Sequence, residues 1–221
     1  MNTYPPLAAL CLSLAVSMTA SAQPTAFSSY TEVMSSDVPA TILQRVIARD
    51  GKSKTYTDLL PLDGGTVGIA HFAVGGLSNL YREMNTQRFF AKPTKEMIAK
   101  YSSGCRPTGK SGDDTGWGCF SQKWWRQGMS AFLSSEDAKT VQNKAWARMM
   151  KPTIETALAH GWTTPRQLGI ALSIANSSGS EGFQTLAGKL KWEAEPTLEA
   201  YASRSPHTAR RRDALDSVYP R

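Results

Sequence analysis

The sequence predicts a mainly α fold with a small β element, gathered into one bilobed domain. Three observations carry this. Apolar residues recur at helical spacing through most of the chain. A single short run, Thr66 to Phe72, has strand character, and it follows the turn signature Asp63-Gly64-Gly65. No internal repeat and no long linker divides the 221 residues, a length that suits one domain with a sizeable core.

Residues 1–22 read as a secretory signal. Pro6 to Ala20 is almost wholly apolar, and Ala20-Ser21-Ala22 is a small-residue cleavage pattern. The apolar run is shorter than the ~20 residues of a spanning helix, so no stable membrane anchor is expected after cleavage. The mature chain then covers 23–221 and is expected to be periplasmic or secreted. Residues 23–35, polar and rich in Ser and Thr, read as a mobile lead-in.

Ser36 or Asp37 can cap the first helix, with Pro39 tolerated in its first turn. Ile42, Leu43, Val46 and Ile47 give that helix an apolar face, and Asp50-Gly51 closes it. After the polar loop and the short strand, Gly75-Gly76 opens a helix from Leu77 to about Met84. A short helix is expected at 94–102 and another at 120–134. Ser134-Ser135-Glu136-Asp137 starts the next, because Ser and acids suit a helix N-terminus. Pro152 is expected to kink or break it, and Gly161 to end it. Thr164-Pro165 opens a helix that is apolar nearly all round, hence a core helix, ending at Asn176-Ser177-Ser178-Gly179. Helices at about 180–190 and 193–203 and a last one from Pro206 to Val218 complete the chain.

Cys11 leaves with the signal, so the mature chain holds Cys105 and Cys119. An even count in an exported chain suggests a disulfide, which would contribute roughly 3 kcal/mol for a loop of this length. Two buried thiols are the plain alternative. Ligand spacing for a metal is absent, and no cofactor is expected. The net charge of +7 suits an anionic partner such as a cell wall. No zinc-finger, basic-zipper or RNA-motif pattern occurs, so nucleic acid is not the expected partner. Walker, dinucleotide and Gly-x-Ser-x-Gly motifs are absent as well.

Breaking a glycosidic bond needs a carboxylic acid for the leaving oxygen and a second carboxylate. Asp50 at a helix end and Asp63 in the following turn could supply both. Thr66, three residues on, could orient a water for Asp63. Taken singly, Asp50 is a helix-end residue, Asp63 a turn former and Thr66 a strand residue. Glu32, Glu83 and Asp58 are further acids, with Asp58 a substitute for the second role. Asp113-Asp114 read as solvated. His71 could face a cleft as a substrate contact. Trp117, Trp124 and Trp125 could stack on sugar faces or pack in the core. Trp124 and Trp125 are adjacent on one helix, so one is expected in the core and one partly exposed. Asn176 and Ser177 could hydrogen-bond a polymer or end their helix. Arg210-Arg211-Arg212 read as a solvated face.

The segments RVIARD, DGGTVGIAHF and AVGGLSNLYREM resemble the catalytic core of family 46 chitosanases, members of the lysozyme superfamily. The resemblance covers about residues 40–85 and implies a bilobed lysozyme-like fold. It implies Asp50 as general acid, Asp63 as general base and Thr66 as the water-orienting threonine of an inverting glycoside hydrolase. The expected substrate is a polysaccharide of β-1,4-linked amino sugars. Chitosan is polycationic and this chain is basic, so peptidoglycan is favoured. The family's acid is Glu, and Asp50 is one methylene shorter. That departure motivates the alternative of a non-catalytic glycan-binding module. An antibacterial effector with the same chemistry is a third reading.

Overall fold

The structure is a computed structural model that describes residues 26–49, 54–62, 65–73, 75–90, 120 and 122–221. Its architecture is mainly α with one small antiparallel β element, as the sequence predicts. The signal segment, the expected 94–102 helix and the Cys105–Cys119 pair lie outside the described residues.

The expected mobile lead-in is partly a folded element. Phe27 and Val33 are buried. Helix α1, Tyr30–Ser35, is capped by Ser29, whose side chain accepts from the Glu32 N–H. Phe27 N–H donates to Thr163 O at 2.8 Å, tying this segment to the C-terminal half. Two large apolar side chains override the polar composition around them, because burying each contributes about 2 kcal/mol.

Ser36 then links α1 to α2. Its hydroxyl donates to Val33 O and accepts from Val38 N–H. Helix α2 starts as Val38–Thr41, widens through a π turn at Ile42–Val46 and tightens to 3₁₀ at Ile47–Arg49. The apolar face read from the sequence is present: Ile42, Leu43, Val46 and Ile47 are all buried.

Strands β1, Leu59–Leu60, and β2, Thr66–Val67, pair antiparallel, with Leu59 opposite Val67 and Leu60 opposite Thr66. The strand expected to reach Phe72 stops at Val67. The chain turns at Gly68 (φ 68°) and His71 (φ 51°), and Phe72 pairs back onto Val67. Helices α3, Gly75–Glu83, and α4, Thr86–Phe89, follow.

Helix α5 is Lys123–Leu133 and α6 is Ala138–Ala159. Pro152 lies inside α6 without breaking it, and the helix ends at Ala159, just before the expected stop at Gly161. Pro152 and Arg148, whose carbonyl loses its donor, are both exposed, so water can serve that carbonyl. Helix α7, Pro165–Lys189, carries the capping box of Thr164 and Gln167 and breaks its helical backbone at Gly179 (φ 72°), where the sequence places the end of the core helix. Helices α8, Ala194–Ala202, and α9, Pro206–Val218, close the fold. Helices α6 and α7 pack along each other at the centre, with α3 on α6 and with α8 and α9 beyond α7. Among the described residues no helix is long and apolar enough to cross a membrane.

Candidate active site

The β element is held in place by contacts within its own connection and by contacts from α6. Leu62 O accepts twice, from Gly65 N–H at 2.9 Å and from the Thr66 hydroxyl at 2.8 Å. That closes the connection between β1 and β2 in which Asp63 falls in sequence. Gly65 has φ 133°, and a Cβ there would stand 2.8 Å from the ring of Trp125. Trp125 is itself held, donating its indole N–H to Tyr81 OH at 2.6 Å.

The second fixation comes from α6. Gln142 is wholly buried; its side-chain oxygen accepts from Ile69 N–H at 3.1 Å and its amide donates to Tyr56 O at 2.7 Å. A buried amide so paired rigidifies both segments that it bridges. Gly68 N–H donates to Asp58 O, and a Cβ on Gly68 would stand 1.9 Å from the Gln142 oxygen. Position 68 therefore demands glycine twice, for its left-handed backbone and for its space. The sequence reading missed Gln142. The available signal was a glutamine lying in one stripe with Ala138, Ala145 and Trp146, all of which are buried.

Asp50 and Asp63 lie outside the described residues. The residues flanking Asp50 are tied together, since Lys54 N–H donates to Ala48 O at 3.0 Å. Of the other acids weighed from the sequence, the three among the described residues are occupied. Asp58 accepts from the Thr55 N–H at 3.1 Å and the Thr55 hydroxyl at 2.5 Å, and its Oδ2 is 3.6 Å from His71 Nε2. It is the cap of a turn, so it is poorly placed to take a proton from water. Glu32 accepts from the Ser28 N–H and hydroxyl, and these bonds hold its carboxyl below the ordinary range. A general acid needs the opposite shift. Glu83 pairs with Arg148.

No family model matches this chain, and no curated protein matches it. The fold is similar to that of a chitosanase. That structure is of a mutant chitosanase from Bacillus subtilis MY002 complexed with 6 GlcN. The TM-score is 0.54 at 15% identity, covering 82% of this chain and 87% of that one. At that identity the likeness is one of fold.

The remaining sequence-predicted residues divide. Thr66 is buried and gives its hydroxyl proton to Leu62 O, which leaves the oxygen as an acceptor. His71 sits at the second turn against Asp58. Trp124 is half-buried with its ring edge-on to Phe90, while Trp125 is core, the division expected for that pair. Asn176 accepts from the Trp146 indole N–H at 2.9 Å, linking α6 to α7. Ser177 Oγ accepts from Arg211 at 2.6 Å and is 3.0 Å from Tyr201 OH. Trp117, Asp113, Asp114, Cys105 and Cys119 lie outside the described residues. No cluster among the described residues is arranged to hold a metal ion.

One expectation is corrected. Arg211 is not on a solvated face: it is 2% exposed. Its guanidinium donates to Ser173 O at 2.9 Å, Ser177 Oγ and Tyr201 OH at 3.2 Å, and α9 packs on α2. Desolvating a charge is tolerated only with such partners. Arg211 shares a face with Leu215, four residues on and buried, and that spacing was the signal available in the sequence.

Proposed function

We propose that the chain is an exported glycoside hydrolase that cleaves β-1,4-linked amino-sugar polymers, with Asp50 as general acid and Asp63 as general base. The observation that carries this reading is the likeness of fold, over most of both chains, to a chitosanase complexed with GlcN. It is supported by the other weighed acids in the described residues, Glu32, Glu83 and Asp58, being committed to hydrogen bonds or ion pairs. Thr66 suits the supporting role. A nucleophilic water gives one hydrogen to the base and has a second to place. Thr66, having given its own proton to Leu62 O, can accept it. In the inverting form the two carboxyls flank the bond about 6.5–9.5 Å apart, with that water between Asp63 and the sugar.

Peptidoglycan is the favoured polymer, because a chain of net charge +7 is repelled by polycationic chitosan and attracted by wall carboxylates. The test is release of new reducing ends from purified peptidoglycan and from soluble chitosan. The reading expects release from peptidoglycan at least about 10-fold faster, a factor equal to about 1.4 kcal/mol of transition-state discrimination. Faster release from chitosan would overturn the preference, and release from neither would overturn the enzyme. The short side chain of Asp50 favours one other reading, a module that holds glycan without cutting it. That reading expects retention on peptidoglycan with no product.

A further inference from the structure

The strongest unexplained feature outside the hairpin is a groove between α2 and α9. It encloses about 440 Å³ and is lined by Arg45, Arg49, Arg210, Asp213, Ala214, Ser217 and Val218. Arg45 and Arg49 are one turn apart on α2 and so lie on one face. Arg210 reaches the groove from α9, its Nη2 2.8 Å from His207 Nδ1. Three arginines thus line one recess together with the apolar Ala214 and Val218.

The acid among the described lining residues is taken up by another partner. Asp213 accepts from Arg212 Nε at 3.0 Å and Nη2 at 2.8 Å. Arg212 also pairs with Glu199, Arg166 with Glu195 and Asp216, and Arg221 with Glu195 and Glu199. Among the described residues Arg45, Arg49 and Arg210 form no ion pair. Like charges gathered in a recess repel, and an anion entering it relieves that repulsion. A guanidinium fork matches a carboxylate by two parallel hydrogen bonds.

We propose that this groove binds the carboxylate-bearing peptide stems of peptidoglycan, holding the polymer beside the helix whose last turn, Ile47–Arg49, precedes Asp50. The proposal rests on the hydrolase reading only for the identity of the polymer. A concave site suits a pendant chain with discrete carboxylates better than the flat surface of a membrane.

The test compares binding of the purified full-length chain to stem-bearing peptidoglycan, to glycan strands stripped of stems by an amidase, and to vesicles of anionic phospholipid. The wild type is expected to bind stem-bearing material at least about 10-fold more tightly than stripped strands, in a manner weakened by salt. The double variant Arg45→Gln/Arg210→Gln is expected to lose that preference, while Arg212→Gln keeps it. All three positions are at least partly exposed, and circular dichroism checks that each variant folds. An unchanged preference in the double variant overturns the proposal, as does equal binding of stripped strands or tighter binding to vesicles. If the wild type releases no reducing ends, the hydrolase reading fails while this binding comparison still decides the groove.

Discussion

The two sides of α9 carry the same charged residue types and use them in opposite ways. Toward α7 and α8, arginines are paired or buried among acceptors: Arg166 with Glu195 and Asp216, Arg212 with Glu199 and Asp213, Arg211 with Ser173, Ser177 and Tyr201. Toward α2, Arg45, Arg49 and Arg210 line a groove and form no ion pair among the described residues. Three consecutive residues, Arg210 to Arg212, fall into three environments because each step along a helix turns the side chain by about 100°. Charge that is internally neutralised holds the fold. Charge left facing a recess is available to a ligand.

Arg211→Met breaks the comparison hardest. Truncating a buried, hydrogen-bonded charge strands its acceptors, so about 3 kcal/mol of stability is expected to be lost, read from urea unfolding. A loss under about 1 kcal/mol would mean that the site is wet and the buried side is no different from the groove. Arg166→Gln comes second. Its side chain is 11% exposed, but Glu195 and Asp216 are 39% and 35% exposed, so solvent screens the pair and about 2 kcal/mol is expected.

The same pair predicts a pH dependence. The hydrogen bond from Arg166 holds the Glu195 carboxyl below its ordinary value of 4.5. A lowered pKa contributes stability that is present above the unfolded value and lost as pH falls through the folded one. The urea midpoint of the wild type should therefore decline below about pH 4.5, and Arg166→Gln should flatten that acid limb. An unaltered limb would remove Glu195 from the paired set. The smallest effect is expected in the groove. Arg45→Gln relieves repulsion from Arg49, so stability should stay within about 0.5 kcal/mol of wild type or rise slightly. A loss above about 1 kcal/mol would mean that Arg45 has a structural partner, which would sharpen the comparison against the proposed ligand role.

Legibility follows the range of the forces. The helices beyond Thr164 could be read because local signals dominate there: Thr164 and Gln167 cap α7, Ser205 and Thr208 cap α9, and Gly179 breaks the helical backbone. Gln142 could not, because its two partners are about seventy and ninety residues away in the chain, and only the packed structure brings them to it. At Pro152 the sequence left a kink and a break open, and the break does not occur because the exposed face of α6 lets water serve the lost carbonyl bond. Phe27 and Val33 were passed over because composition averaged them into a polar stretch. As for the site, the two aspartates are a proposal from the sequence and lie outside the described residues, while the structure shows what holds the β element: Trp125, Gln142 and the double acceptor Leu62 O.

The pairing of Asp50 with Asp63 is tested most directly by reducing-end release from peptidoglycan for wild type, Asp50→Asn, Asp63→Asn and the double variant, side by side. Groups that act as a unit are non-additive. Each single variant is expected to fall by about 10³-fold, and the double variant to be no more than a few-fold slower than either. A single variant that keeps the wild-type rate, or a double variant whose loss is the product of two independent losses, would contradict the account.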